Sequence, residues 1–61
     1  MNLKLRGKRV EKGYTQEQLA KEIGVSHATY QRYESGKYEM TQSTISKLLR
    51  VLDCKYEDIF F

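Results

Sequence analysis

The segment from Thr15 to Gly36, TQEQLAKEIGVSHATYQRYESG, constrains the fold of this chain more than any other stretch. Thr15 is a good N-cap, and Gln18 follows three residues later, which is the spacing of a capping box at a helix start. The apolar residues that come next have helical spacing: Leu19, Ala20 and Ile23. Gly24 can end this helix, Ser26 can cap a second one and Gly36 can end that one. The segment therefore predicts two short helices joined by a tight turn.

Two helices joined by a turn that contains glycine suit the helix-turn-helix unit, whose second helix enters the major groove of DNA. The residues resemble those of the Cro/repressor-type helix-turn-helix family, also called Xre-like regulators. The matching residues are Gln16, Leu19, Ala20, Gly24, Val25, Ser26, Thr29, Glu34, Gly36 and Lys37, with Arg9 upstream and the run from Thr41 to Phe60. The resemblance implies an all-α fold, a compact bundle of about five short helices of the lambda repressor-like type, with residues 1–61 forming one DNA-binding domain.

The chain before this segment predicts a first helix over about residues 2–12. Asn2 is a suitable cap for it, and Gly13 is a suitable end. The apolar pattern of this helix is thin and consists of Leu3, Leu5 and Val10. Tyr14 follows directly after the helix, and we expect it to fold back onto the core.

The chain after the segment predicts two more helices. Thr41 is a plausible cap for a fourth helix, whose apolar residues have the spacing of a buried face: Ile45, Leu48, Leu49 and Leu52. Asp53 stands where the family usually has glycine, and aspartate tolerates the left-handed conformation that ends such a helix. A short fifth helix from Tyr56 to about Phe60 is expected to close the domain, with Ile59 and Phe60 directed inward.

Charge is distributed unevenly along the chain, whose formal net charge is +3. Residues 1–12 contain five basic side chains against Glu11 alone, and residues 51–61 contain three acidic side chains against Lys55. A basic beginning and an acidic end suit a domain that turns one face toward a polyanion. An ordinary solvated surface gives the same pattern, so charge alone does not decide between the two readings.

Length and cysteine content exclude several classes of protein. A chain of 61 residues leaves little room for a ligand cavity, so we expect no cofactor and no small-molecule substrate. Cys54 is the single cysteine, which excludes an internal disulfide and, with one histidine, a structural zinc site; we expect it to act as a small buried hydrophobe. No spacing indicates a catalytic constellation, so we expect no enzymatic activity. No apolar stretch has the length of a membrane span or a signal peptide, and a cytoplasmic protein is expected.

A helical wheel at about 100° per residue divides residues 27–34 into two faces. Tyr30 and Tyr33 fall together and define the side that faces the core. The opposite side carries the candidate base contacts, which are His27, Ala28, Gln31 and Arg32.

The chemistry of these side chains suits base edges, although each is also compatible with an ordinary solvated helix. Arg32 matches the O6 and N7 acceptors of guanine, and Gln31 can bond adenine. Ala28 offers a methyl group to the methyl of thymine. His27, in the first helical turn, can donate to a base or to a phosphate.

The resemblance implies further contacts with the DNA backbone, from helix starts and the polar residues that flank them. In the family, the residue at Gln16 clamps a phosphate, and residues around Lys37 and the following loop hold the backbone on the other side. The candidate phosphate contacts are Gln16, Ser26, Thr29, Ser35, Lys37, Tyr38 and Gln42. Family members also pair the residues at Arg9 and Glu34, and both are present here.

The function that these observations favour is a sequence-specific regulator that binds double-stranded DNA, of the Cro-like repressor type found in phages and mobile elements. The alternatives are a restriction-modification controller protein and an antitoxin-like or other protein-interaction module. One recognition helix reads only a few base pairs, so we expect a homodimer on a palindromic operator. The resemblance places the dimer contact at the connection before the last helix, and the candidate interface residues are Lys55, Tyr56, Glu57 and Phe61.

Overall fold

The computed structural model describes residues 1–37 and 39–60, and Tyr38 and Phe61 lie outside the described residues. The described residues form helices and no strand, in the order α1 (Leu3–Glu11), α2 (Gln16–Glu22), α3 (His27–Ser35), α4 (Gln42–Leu52) and α5 (Glu57–Phe60). The predicted all-α bundle of about five short helices is therefore confirmed. The longest of these helices has 11 residues, and none is long and apolar enough to cross a membrane.

A capping box fixes the start of α2. The backbone N–H of Gln18 donates to Thr15 Oγ1 at 3.0 Å, and the backbone N–H of Thr15 donates to Gln18 Oε1 at 2.9 Å. Two N–H groups that lack helical partners are thereby satisfied, as the spacing of these two residues predicted. Glu17 in the first turn adds negative charge where the helix dipole favours it.

The bounds of α3 also follow from the residues that flank it. Ser26 Oγ accepts a hydrogen bond from the backbone N–H of Thr29 at 3.1 Å, which caps the start of the helix. Gly24 in the turn has a φ of +76°, and Gly36 at the end of α3 has a φ of +77°. Only glycine adopts this left-handed backbone without steric cost, so these two positions set the turn and the end of the motif.

The core lies between the helices, with α2 packed against α3 and α1 packed against α5. Its buried apolar side chains are Leu5, Leu19, Ala20, Ile23, Tyr30, Tyr33, Leu48, Leu52 and Ile59. Burial of a large apolar side chain contributes about 1.5–3 kcal/mol, so these residues hold α2 and α3 as one packed unit. Tyr14 packs against this cluster from the α1–α2 turn, as the sequence predicted.

The apolar pattern of α1 was a poor guide to its buried face. Leu5 is fully buried, whereas Leu3 is 65% exposed and Val10 is 60% exposed. At 100° per residue, Leu3 and Val10 lie about 160° and 140° around the helix from Leu5, so they cannot share its face. Arg9, four residues after Leu5, occupies that face instead and turns toward α3.

Helix α4 is capped by Thr41, whose Oγ1 accepts from the backbone N–H of Thr44 at 3.2 Å. Its predicted apolar face is buried only in part, since Leu48 and Leu52 are fully covered while Ile45 and Leu49 remain half-buried. Asp53 ends the helix with a φ of +49°, which confirms that aspartate takes the left-handed position here.

Helix α5 begins at Glu57, one residue later than the sequence predicted. At its start, the carboxylate of Asp58 accepts a hydrogen bond from the backbone N–H of Lys55 at 2.9 Å, as in a capping box. Ile59 is buried and Phe60 is half-buried, as expected. Cys54 is half-buried, and burial, followed by the nearby charge of Asp58, raises the pKa of its thiol.

Candidate nucleic-acid interface

Helix α3 has one buried side and one exposed side. The rings of Tyr30 and Tyr33 lie on the buried side with centroids 6.3 Å apart and planes at 81°, which is a favourable edge-to-face pair. The side chains on the opposite side are all exposed: His27, Ala28, Gln31 and Arg32. The division of the helix by the wheel is confirmed, and contact of the exposed side with DNA stays a prediction.

Glu34 is a buried carboxylate on α3, with 6% of its surface exposed. Its Oε2 accepts hydrogen bonds from Arg9 Nε and from the Tyr30 hydroxyl, both at 2.6 Å, and its Oε1 accepts from Gln16 Nε2 at 3.1 Å. Burial opposes ionisation, but these three donors and the charge of Arg9 outweigh it and hold the pKa of Glu34 below its usual value. Glu34 is therefore an ionised acceptor held by three neighbours, and it forms the ion pair with Arg9 that the resemblance implied.

The partners of Glu34 are themselves fixed in place. Arg9 Nη1 donates to the backbone carbonyl of Tyr14 at 2.9 Å, which ties the end of α1 to the following turn. Burial, followed by the hydrogen bond to Glu34, raises the pKa of the Tyr30 hydroxyl, so that group remains a proton donor. The spacing of Tyr30 and Glu34 at i and i+4 on one helix is the sequence signal that predicts their contact.

Gln16, predicted to clamp a phosphate, is bonded to other side chains in this structure. Its Nε2 donates to Glu34, and its Oε1 lies 3.4 Å from Gln31 Nε2 and 3.4 Å from His27 Nε2. Gln16 therefore connects the buried ion pair to two of the candidate base contacts. The sequence carries no signal for this arrangement, because residues 16 and 34 are brought together only by the packing of α2 on α3.

Three of the candidate phosphate contacts use their hydroxyl groups in hydrogen bonds within α3 or at its N-cap. Ser26 Oγ caps the helix and donates to Thr29 Oγ1 at 2.9 Å, and Ser35 Oγ donates to the carbonyl of Arg32 at 2.8 Å. Two further candidates, Lys37 and Gln42, are exposed, and they flank the loop between α3 and α4. The last candidate, Tyr38, lies outside the described residues.

An open concavity of about 820 Å³ lies beside α3, between the C-terminal half of α1 and the start of α2. Among its lining residues are Arg6, Arg9, Gln16, His27, Gln31 and Ser35. Arg6 was not singled out from the sequence, although its place one turn before Arg9 puts it near the same face. The concavity thus joins cationic side chains of α1 to the exposed side of the second motif helix.

Three of the candidate dimer residues are described, and none of the three lines this concavity. Lys55, Tyr56 and Glu57 are exposed, and Tyr56 retains 44% of its surface. The ring of Tyr56 lies 4.6 Å from that of Phe60, centroid to centroid, so one side of Tyr56 is packed onto α5. Phe61, the remaining candidate, lies outside the described residues.

A capped helix-turn-helix whose second helix turns a polar face away from the core defines a small DNA-binding regulator. A family model described as Helix-turn-helix matches residues 5–59, and the chain belongs to this family.

Curated relatives named HTH-type transcriptional regulators match across nearly all of the chain. One from Archaeoglobus fulgidus is 38% identical over 60 residues, which cover 98% of this chain and 86% of the relative. One from Methanocaldococcus jannaschii is 40% identical over 60 residues, covering 98% of this chain and 91% of the relative. YvzC of Bacillus subtilis is 42% identical over 52 residues, covering 85% of this chain and 68% of the relative.

Two solved structures have the same fold. The restriction-modification controller protein C.AhdI from Aeromonas hydrophila is 32% identical, with a TM-score of 0.83 over 93% of this chain and 86% of that chain. The clp gene regulator ClgR from Corynebacterium glutamicum is 27% identical, with a TM-score of 0.82 over 90% of this chain. The matched region spans 58% of the ClgR chain.

Proposed function

We propose that this chain, as one domain over residues 1–61, is a transcriptional regulator that binds double-stranded DNA sequence-specifically with α3 in the major groove. The observation that carries the proposal is the exposed polar side of α3, directly opposite the buried tyrosines. His27, Ala28, Gln31 and Arg32 read base edges in this role, because their side chains match the donors, acceptors and methyl groups of the major groove. The role consists of binding and involves no chemical step.

Backbone contacts position the domain on the duplex without reading its sequence. Lys37 and Gln42 are exposed at the two ends of the loop between α3 and α4, and they hold phosphates beyond the end of α3. Arg6, on the wall of the concavity formed by α1, adds positive charge on the other side, whereas the charge of Arg9 is neutralised by Glu34. Gln16, Ser26, Thr29, Ser35 and Tyr38 complete the proposed set.

The proposed binding unit is a two-fold symmetric homodimer on a palindromic operator. A single recognition helix contacts only a few base pairs, and two-fold pairing doubles the site and sets half-sites about one helical turn apart. The C-terminal residues Lys55, Tyr56, Glu57 and Phe61 are the proposed contact between protomers. The 44% exposure of Tyr56 supports this, since it leaves part of a large side chain accessible to a partner protomer.

We propose repression of the Cro-like type as the regulatory outcome, with control of a restriction-modification system as a second candidate. The likeness to C.AhdI favours the second candidate, because that protein is a restriction-modification controller. Transcription in vitro from a promoter that overlaps the selected site separates the two. A repressor only reduces transcript yield, whereas a controller that activates raises it at low protein concentration.

The test of DNA binding is selection of bound sequences from a random duplex library, followed by titration of the selected duplex at several salt concentrations. Each neutralised phosphate contributes about −0.9 to the slope of log K against log salt, so affinity falls steeply as salt rises. A selected consensus with a steep slope supports the proposal. Absence of an enriched sequence, or binding that does not respond to salt, overturns it.

A further inference from the structure

A continuous set of hydrogen bonds runs from the buried carboxylate of α3 to its exposed side. Glu34 Oε1 accepts from Gln16 Nε2 at 3.1 Å. Gln16 Oε1 in turn lies 3.4 Å from the nitrogens Gln31 Nε2 and His27 Nε2. We call these four residues, Glu34, Gln16, Gln31 and His27, the relay. It connects a residue that is 6% exposed to two side chains in the candidate DNA-binding face.

The chemistry of the four side chains fixes which group donates and which accepts at each contact of the relay. An ionised carboxylate only accepts hydrogen bonds, so Gln16 must turn its NH₂ group toward Glu34. The carbonyl oxygen of Gln16 then faces the exposed side of α3 and can be satisfied only by donors. Gln31 must therefore turn its own NH₂ group toward Gln16, and His27 must donate from Nε2. Because nitrogen and oxygen lie on opposite sides of an amide carbon, the carbonyl oxygen of Gln31 points away from Gln16.

We propose that Glu34 is a positioning residue for base recognition, which acts through Gln16 to hold Gln31 with its carbonyl oxygen toward the groove. Gln31 then selects a base that presents an exocyclic amine, adenine or cytosine, and disfavours guanine and thymine, which present acceptors in the major groove. This inference rests on the proposed DNA-binding function and adds a base class to one position of the site.

The relay matters because a free glutamine amide has no fixed polarity. Rotation about its last side-chain bond exchanges oxygen and nitrogen, so an unrestrained Gln31 meets donor and acceptor bases about equally well. When the relay allows only one orientation of the Gln31 amide, donor and acceptor bases differ in binding free energy by about one hydrogen bond. That corresponds to a preference of about 2- to 10-fold for adenine or cytosine over guanine or thymine.

The decisive experiment compares base preference, position by position, among variants of the whole chain. Gln16→Met removes the middle of the relay while leaving Arg9 and Tyr30 bonded to Glu34. Glu34→Gln replaces the acceptor-only group by an amide that can present either polarity. In both variants the preference for adenine or cytosine is expected to relax to less than about 2-fold at the base pair that Gln31 contacts, while the preference at the base pair that Arg32 contacts persists. Glu22→Gln, the same substitution at an exposed glutamate of α2, serves as the control and should retain the full preference.

The outcomes separate the inference from the function on which it rests. If the unaltered chain selects a consensus and Gln16→Met selects the same one at every position, the relay is overturned and DNA binding stands. If the unaltered chain selects no sequence, the proposed function itself fails. Loss of Gln16 can also weaken phosphate binding, but that lowers affinity for all sequences alike and leaves base preference unchanged. Should Glu34→Gln unfold, which circular dichroism detects, the Gln16→Met comparison decides alone.

The relay has a second readout that requires no DNA. In the free protein, nuclear Overhauser effects are expected between the Nε2 protons of Gln31 and the side chain of Gln16. These contacts should weaken in Glu34→Gln and persist in Glu22→Gln. Only Glu34→Gln allows the amide of Gln16 to turn either its oxygen or its nitrogen toward residue 34. Equal intensities in all three proteins contradict a role for Glu34 in orienting Gln31.

Discussion

Arg9 Nε lies 2.6 Å from Glu34 Oε2, and this ion pair joins α1 to the helix proposed to enter the major groove. The two side chains are 11% and 7% exposed, so water screens their interaction only weakly. A second link lies beside the first, since the backbone N–H of Asn2 donates to the carbonyl of Glu34 at 2.7 Å. The N-terminal segment and α1 are therefore bonded to α3 through both the side chain and the backbone of Glu34.

The first prediction concerns the energetic coupling of this pair. Removing one partner of a buried ion pair leaves an uncompensated charge and costs about 3 kcal/mol or more, whereas an exposed pair contributes roughly 0–1 kcal/mol. A double-mutant cycle with Arg9→Met and Glu34→Gln, measured by denaturant unfolding, should give a coupling of about 1–3 kcal/mol. Lys8 and Glu11 form a matched exposed pair at 3.4 Å on α1, and the same cycle there should give less than about 1 kcal/mol. Indistinguishable couplings for the two pairs would contradict the prediction.

The second prediction follows from the lowered pKa of Glu34. The unfolded chain binds a proton at this carboxylate near the ordinary glutamate value of about 4.3, whereas the folded chain binds it only at lower pH. The stability that ionised Glu34 contributes is thus fully present above that value and is lost as pH falls toward the folded pKa. Between pH 7 and 3, the free energy of unfolding of the unaltered chain should fall more steeply than that of Glu34→Gln. Glu22→Gln should follow the unaltered chain, and parallel curves for all three proteins would refute a special role for Glu34.

The helices and their ends were predictable because their signals are local. Thr15, Ser26 and Thr41 cap helices through contacts within three residues, and left-handed positions require glycine or tolerate aspartate. A wheel was enough to separate the two sides of α3, because its tyrosines fall on one side. Such local signals predict the structure correctly where the conformation depends only on residues within one helix and its caps.

The buried face of α1 and the contacts of Gln16 depend on how the helices pack, and they could not be predicted from the sequence. Leu3 and Val10 suggested an apolar face of α1, but that helix docks through Leu5 and leaves both of them exposed. The resemblance predicts a phosphate contact for Gln16, whereas its hydrogen bond to Glu34 and its proximity to Gln31 arise only from the packing of α2 on α3. Hydrogen bonds between residues 18 apart have no periodic signature.

The third prediction separates residues that read bases from residues that position the domain. Arg32→Ala should cost roughly 1–3 kcal/mol on the selected site and flatten the preference at one base pair, because a guanidinium matches O6 and N7 of guanine. Lys37→Ala should weaken all sequences about equally and reduce the salt slope by about one. Competition binding with single-base variants of the site measures both effects. Full base preference in Arg32→Ala would mean that another side of α3 meets the groove.

The last prediction is that the C-terminal residues join two protomers on the operator. Tyr56→Ala combined with deletion of Phe61 is expected to lower affinity and cooperativity on the full palindrome, with little change on an isolated half-site. Since Tyr56 also packs on Phe60, the half-site measurement is needed to detect damage to the fold. Val10→Ala removes a comparably exposed apolar side chain from α1 and should change palindrome and half-site binding by the same factor. Equal losses on both duplexes in the C-terminal variant would show that Tyr56 and Phe61 support the domain itself and not an interface between two copies.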